Sequence, residues 1–200
     1  MAVVLGTTAV AALASGCSPT PSPTPTGTTT TTDSDSAASS GAPKVKTPLD
    51  TMKFQAAPCS TLTSAQVQSV GINAQASTAD VATALGPGCR WTQNDGGTGF
   101  TVQFVTSNTK GLSTLYAQKD SLNDGGYFTP IADIQGYPAV LYSPVDDRSS
   151  GTCGVAVGVS DTLDYSVALT SATTAPSRSD PCPVAEKIAD LVMTTLRGGS

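Results

Sequence analysis

Hydrophobic positions along this chain change period several times, and each change marks an element. Phe100, Val102 and Phe104 alternate with Thr101 and Gln103, the period of a half-buried strand. With residues 89–93 before them and Asn94-Asp95-Gly96-Gly97 between, they predict a hairpin of strands 89–93 and 99–105. Strands are also predicted at 137–142, between Gly136 and Pro144, and at 152–159 and 164–170 around a turn at 160–163. A helix is predicted at 64–70. Thr63 and Gln66 have the spacing of a capping box, Leu62 and Val67 that of a hydrophobic staple, and Gly71 supplies a stop. A second is predicted at 111–122, with Leu112, Leu115, Tyr116 and Lys119 on one side. The last, from Asp180 as cap and Pro181 as first residue, places Val184, Ile188, Leu191, Val192 and Thr195 on one face. Residues 72–88 have no clear period; 78–85 fits a short helix or a strand. The order predicts an α+β fold: a single small domain in which about three helices pack on an antiparallel sheet.

The N-terminal fifth has neither period. Residues 1–14 are apolar or small, a run too short to span a bilayer, which takes about 20 residues, but of the length of a signal-peptide core. It leads into Leu13-Ala14-Ser15-Gly16-Cys17, where small residues before a cysteine resemble a bacterial lipobox. Two features depart from that pattern: Ala14 stands where Leu is usual, and the first charged residue is Asp33, so no basic segment precedes the apolar run. A native start upstream of Met1 is therefore expected. From Ser18 to Leu49, 21 of 32 residues are Ser, Thr or Pro, and no aromatic occurs before Phe54. Such a segment buries too little apolar area to offset chain entropy and reads as a disordered, partly extended linker open to O-glycosylation. The expected organisation is a signal peptide at 1–16, a lipidated (palmitate-bearing) Cys17 with its linker at 17–49, and the folded domain at 50–200.

Composition narrows the chemistry. The chain has no histidine, ten Lys+Arg against fifteen Asp+Glu and a net charge of -5. That excludes a Ser-His-Asp triad, His-ligated zinc and an imidazole base, and argues against a basic patch for nucleic acid. Five cysteines are an odd count, and Cys17 leaving for a lipid makes it even. The remaining four, Cys59, Cys89, Cys153 and Cys182, allow three pairings in an oxidising compartment. Cys59–Cys89 with Cys153–Cys182 is the pairing expected, each closing a loop of about 30 residues that adds roughly 3–4 kcal/mol of stability in the chain-entropy account. Zinc bound by all four thiolates would want close pairs such as C-x-x-C, and these cysteines are far apart in sequence.

The cysteines also carry a resemblance. Ala57-Pro58-Cys59-Ser60-Thr61-Leu62-Thr63 opens the domain, and Cys89-Arg90-Trp91 gives a C-x-W. Gly136-Tyr137-Pro138-Ala139-Val140 precedes Cys153-Gly154-Val155-Ala156-Val157, and Asp180-Pro181-Cys182-Pro183-Val184-Ala185 opens the last helix. In this order, behind a lipobox and a Thr/Pro-rich linker, they resemble the actinobacterial lipoprotein family known as domain of unknown function 3558. The resemblance covers nearly the whole domain. It implies a cell-envelope lipoprotein and brings no established activity and no catalytic residues.

Little else suggests catalysis. Ser107-Asn108-Thr109-Lys110 matches the S-x-x-K acylation motif, but those enzymes place the Ser at a helix N-terminus and need a K-T-G element, which is absent. Asp146-Asp147, with Asp120 and Asp124, are the only carboxylate groupings and read as solvated loop acids. Trp91 with Arg90 fits part of a pocket, although a core tryptophan beside a disulfide is the simpler account. Tyr127-Phe128 and Tyr137-Pro138 flank Ile131 and Ile134 in the most concentrated apolar-aromatic stretch, so a ligand groove is expected at Trp91, Tyr127, Phe128 and Tyr137. No cofactor or metal is expected. The function expected is a membrane-anchored envelope lipoprotein with a non-catalytic domain binding a lipid, glycan, peptide or protein. The alternatives are a histidine-independent hydrolase or acyl-transfer enzyme using Ser107 and Lys110, and an accessory or sensor subunit of a membrane complex.

Overall fold

The computed structural model describes residues 41–80, 84–93 and 97–198; the first forty residues, Cys17 among them, residues 81–83 of the 78–85 segment, and Asn94 to Gly96, where a turn is predicted, lie outside that range. Seven strands form one antiparallel sheet: β1 (Ala74–Asp80), β2 (Gly88–Gln93), β3 (Gly99–Phe104), β4 (Tyr127–Ile134), β5 (Tyr137–Ser143), β6 (Thr152–Ser160) and β7 (Leu163–Thr170). Their order across the sheet is β1-β2-β3-β7-β6-β5-β4. Five α-helices accompany them among the described residues: α1 (Met52–Ala56), α2 (Ser64–Ser69), α3 (Ser113–Ala117), α4 (Lys119–Leu122) and α5 (Cys182–Gly198). The domain is α+β with two disulfides, Cys59–Cys89 and Cys153–Cys182.

Alternation along the strands creates two differently covered faces. Cys89 and Trp91 of β2, Phe100, Val102 and Phe104 of β3, Val155 and Val157 of β6, and Tyr165, Val167 and Leu169 of β7 all point to one side and are buried. Helix α5, about 25 Å long at 1.5 Å per residue, lies on that side and buries Ala185, Ile188, Ala189, Val192, Met193 and Leu196 against it. The buried stripe is therefore centred between the positions the sequence pattern favoured. Ile188 and Val192 belong to it, whereas Val184, Leu191 and Thr195 sit at its edge and are only half-buried. The small Ala185 and Ala189 let the helix approach closely, and the Tyr165 hydroxyl donates to the Ala189 carbonyl at 2.8 Å. The opposite face is covered over part of its width: Leu112 and Leu122, from the segment carrying α3 and α4, pack on Phe128, Val140 and Ala156.

Two elements differ from expectation for physical reasons. The single helix predicted over 111–122 is divided between α3 and α4 at Gln118, whose φ of -102° and ψ of 6° leave the helical region. In one unbroken helix Leu112 and Leu122 would point roughly 80° apart, at 100° per residue; the break lets both reach the sheet. Strand β4 was not predicted, because Pro130 interrupts it. As the edge strand of the sheet it tolerates a residue that has no N–H to donate.

Residues 42–49, expected to end the linker, pack along the domain. The Val45 N–H donates to Asp161 Oδ1 at 2.9 Å and Lys44 Nζ lies 3.4 Å from Asp161 Oδ2. The Leu49 N–H donates to the Val159 carbonyl at 3.0 Å, and Thr47 O accepts the Tyr137 hydroxyl at 2.9 Å. This strap docks at the sheet end that carries the β6–β7 and β4–β5 turns. The β2–β3 connection and the exit of β7 lie at the other end, one strand length or about 25 Å away. No helix among the described residues is long and apolar enough to cross a membrane.

Candidate functional site

The end of the sheet opposite the strap opens into a cleft of about 520 Å³. Helix α2 reaches it because a complete capping box fixes its start. Thr63 Oγ1 accepts the Gln66 N–H at 3.2 Å, and Gln66 Oε1 accepts the Thr63 N–H at 2.7 Å. Gly71, at φ +77°, ends the helix and lays Val70 and Ile72 along one wall. Val184 of α5 faces them, and residues 174–177 close the third side. The polar groups there are largely used within the protein: Thr98 Oγ1 accepts the Ala172 N–H at 3.1 Å, Gln93 Oε1 accepts the Asn73 N–H at 2.7 Å, and the Ser171 and Ser177 hydroxyls share a hydrogen bond at 2.8 Å. None of the described lining residues is ionisable. Such a lining offers apolar walls and fixed neutral dipoles.

The aromatic residues singled out from the sequence lie elsewhere. Trp91 is buried beside Cys89 and stacks on Phe100 at 5.0 Å between ring centroids. Tyr127 is buried on the same side of the sheet. Its hydroxyl accepts the Gly154 N–H at 3.0 Å, and the Arg148 guanidinium lies over its ring at 4.3 Å. Tyr137 is buried and donates to the strap. Phe128, next in sequence to Tyr127, faces the other side and meets Tyr116 edge-on at 4.9 Å. Strand alternation thus divides these four between two packed clusters, and none lines the cleft.

The remaining candidates lie in loops. Ser107 is exposed and its N–H donates to the Leu85 carbonyl at 3.0 Å. Lys110 closes a turn by donating its N–H to Asn108 Oδ1 at 2.9 Å. The next helix begins only at Ser113. Asp146 makes a two-pronged pair with Arg148, at 2.8 and 2.6 Å, which holds its carboxyl below the usual range. Asp147, Asp120 and Asp124 are exposed. Among the described residues no group of three or more Cys, Asp or Glu is placed to hold a metal ion.

Sequence reading missed a buried polar group on the half-covered face. Asp164 is 2% exposed, and burial raises its carboxyl to about 7. Two residues along β7, Ser166 is also buried and shares a hydrogen bond with Tyr142. Burial first, and the Asp164 charge second, push the Tyr142 phenol up to about 12. The available signal was parity: Asp164 and Ser166 alternate with Tyr165 and Val167, so they face away from α5.

These features define a small α+β domain, stapled by two disulfides, with a cleft at one end of its sheet. The chain belongs to the family described as Protein of unknown function (DUF3558), whose model matches residues 12–195. No match was found among curated proteins or among solved structures.

Proposed function

We propose that this protein is a lipid-anchored cell-envelope protein on the extracytoplasmic face of the membrane, with Cys17 carrying the lipid and the domain binding an envelope ligand in the cleft without catalysis. The carrying observation is the cleft itself, with apolar walls and no ionisable residue among its described lining, at the sheet end remote from the strap. A tether arriving at residue 42 enters the opposite end, which leaves the cleft free to face the wall. The two disulfides suit an oxidising compartment, and the family match includes Cys17 and the Ser/Thr/Pro-rich segment. A neutral lipid or the apolar part of a wall component is the class of ligand that such walls recognise. Thermal-shift measurements with envelope lipid extracts and wall fragments test this. Ligand should raise the Tm of the wild type and leave the Tm of Val184→Glu, which puts a charge in the cleft, unchanged. Equal shifts in both would remove the cleft from the account. Labelling by a fluorescent penicillin separates this reading from acyl transfer at Ser107, and a labelled Ser107 would favour the enzyme.

A further inference from the structure

The half-covered face of the sheet carries a second depression, of about 270 Å³, which the cleft does not include. Two cross-strand rows build it. In one, Gly99 of β3 stands between Thr92 of β2 and Thr170 of β7; in the next, Thr101 stands between Arg90 and Ala168. The missing side chain at Gly99 and the short one at Ala168 form the floor, and three threonines and an arginine form the walls. Gly99 cannot be exchanged without cost, since a Cβ there would come within 2.8 Å of the Trp91 carbonyl oxygen. Leu112 and Leu122 cover only the β4–β6 side of this face, so the depression is open.

Arg90 distinguishes this depression from an ordinary polar sheet surface. The chain has four arginines. Arg148 is paired with Asp146, Arg178 donates to the Ser150 carbonyl, and Arg197 donates to Gln135. The Arg90 guanidinium makes no ion pair or hydrogen bond among the described residues. In a chain of net charge -5 with ten basic residues, an exposed guanidinium at the mouth of a hydroxyl-lined trough is a specific local exception. A guanidinium binds carboxylate or phosphate through two parallel N–H donors, and threonine hydroxyls both donate to and accept from sugar hydroxyls.

We infer that this trough is a saccharide site, in which Arg90 receives the carboxylate or phosphate of an anionic sugar and Thr92, Thr101 and Thr170 receive its ring hydroxyls. It goes beyond the cleft reading and is independent of it, because the two depressions share no lining residue.

The test uses amide chemical shifts and calorimetry of the full chain, titrated with glucuronate, glucose 6-phosphate, neutral glucose, acetate and inorganic phosphate. At least one anionic sugar should bind roughly tenfold more tightly than glucose or either simple anion, moving the amides of Thr101 and Thr170. Which of the two anionic sugars binds identifies the acid group. Arg90→Gln should weaken that binding about tenfold or more, the loss expected for hydrogen bonds to a charged group, with Tm unchanged because the side chain is exposed and unpaired. Thr101→Val should weaken it while keeping the side chain's shape, and Val184→Glu should leave it intact. Absence of binding by both anionic sugars, equal binding of glucose, or an Arg90→Gln variant within twofold of wild type would overturn the assignment.

Discussion

Asp164 is the residue whose surroundings conflict most with its ordinary chemistry. A carboxyl that titrates near 3.9 in an unfolded chain is held in this fold at about 7 by burial, with no cationic partner. The folded state therefore binds the proton more tightly than the unfolded state does. Its stabilising contribution is complete below pH 4, declines as pH rises toward 7, and is lost above it. From pH 5 to pH 8 this group alone should lower stability by on the order of 2–4 kcal/mol. Asp164→Asn, similar in shape and unable to ionise, should flatten that dependence and unfold at a higher temperature than wild type at pH 8. Thermal unfolding of both proteins at pH 5 and 8 measures it. A wild-type Tm equal at both values, with no gain in the variant, would show that the carboxyl is paired or hydrated in solution.

Among the elements, α2 shows how a local signal becomes a tertiary one. Thr63 and Gln66 were legible as a capping box, but Gln66 also donates through Nε2 to the Leu191 carbonyl at 3.3 Å and to Thr195 Oγ1 at 3.2 Å, which ties α2 to α5. Thr63→Ala should cost about 1 kcal/mol, the usual loss for a cap. Gln66→Ala should cost more, because it also removes the two hydrogen bonds to α5; urea unfolding of the two variants gives the order directly. The same distinction explains what could be read from sequence. Strands β2, β3 and β7 were legible because one face of each is apolar and the other largely polar, and β5 and β6 as short apolar runs bounded by turn residues. So were the cap of α2 and the two cystine pairs. Strand β4 was hidden, since its Tyr127 and Phe128 are both buried, on opposite faces, and Pro130 suggests a loop. The division at Gln118 follows from the distance between Leu112 and Leu122 on the sheet, which no local pattern records. Of the candidate sites, the cleft was invisible: its walls come from residues 70–72 after α2, Gln93 at the end of β2, Thr98 just before β3, Val184 of α5 and residues 174–177, and no short motif contains them. Arg90 was noticed only as a neighbour of Trp91, and strand parity sends the two to opposite faces.

The whole molecule is organised by two staples and a strap. Cys59–Cys89 fixes the segment ahead of α2 to β2, and Cys153–Cys182 fixes the start of α5 to β6. Replacing either pair by serine should cost about 3–4 kcal/mol, on the loop-closure estimate for roughly 30 residues. Alkylation without reductant, followed by intact-mass measurement, should find no free thiol among these four cysteines. Asp161 holds the strap through the Val45 N–H and Lys44; its exposed contacts are worth on the order of 1 kcal/mol at most. Asp161→Ala should therefore leave global stability nearly unchanged while raising amide exchange at residues 45–49, which locates where the N-terminal segment joins the domain.

Anchoring is the claim on which the proposed function depends. The direct measurement is fatty-acid labelling and membrane fractionation of the full chain beside Cys17→Ala in a bacterial host. The account predicts that the wild type takes up label and sediments with membranes through detergent-free washing, and that Cys17→Ala is unlabelled and released. A Cys17→Ala protein that stays with the membrane, or a wild type that carries no lipid, would contradict it.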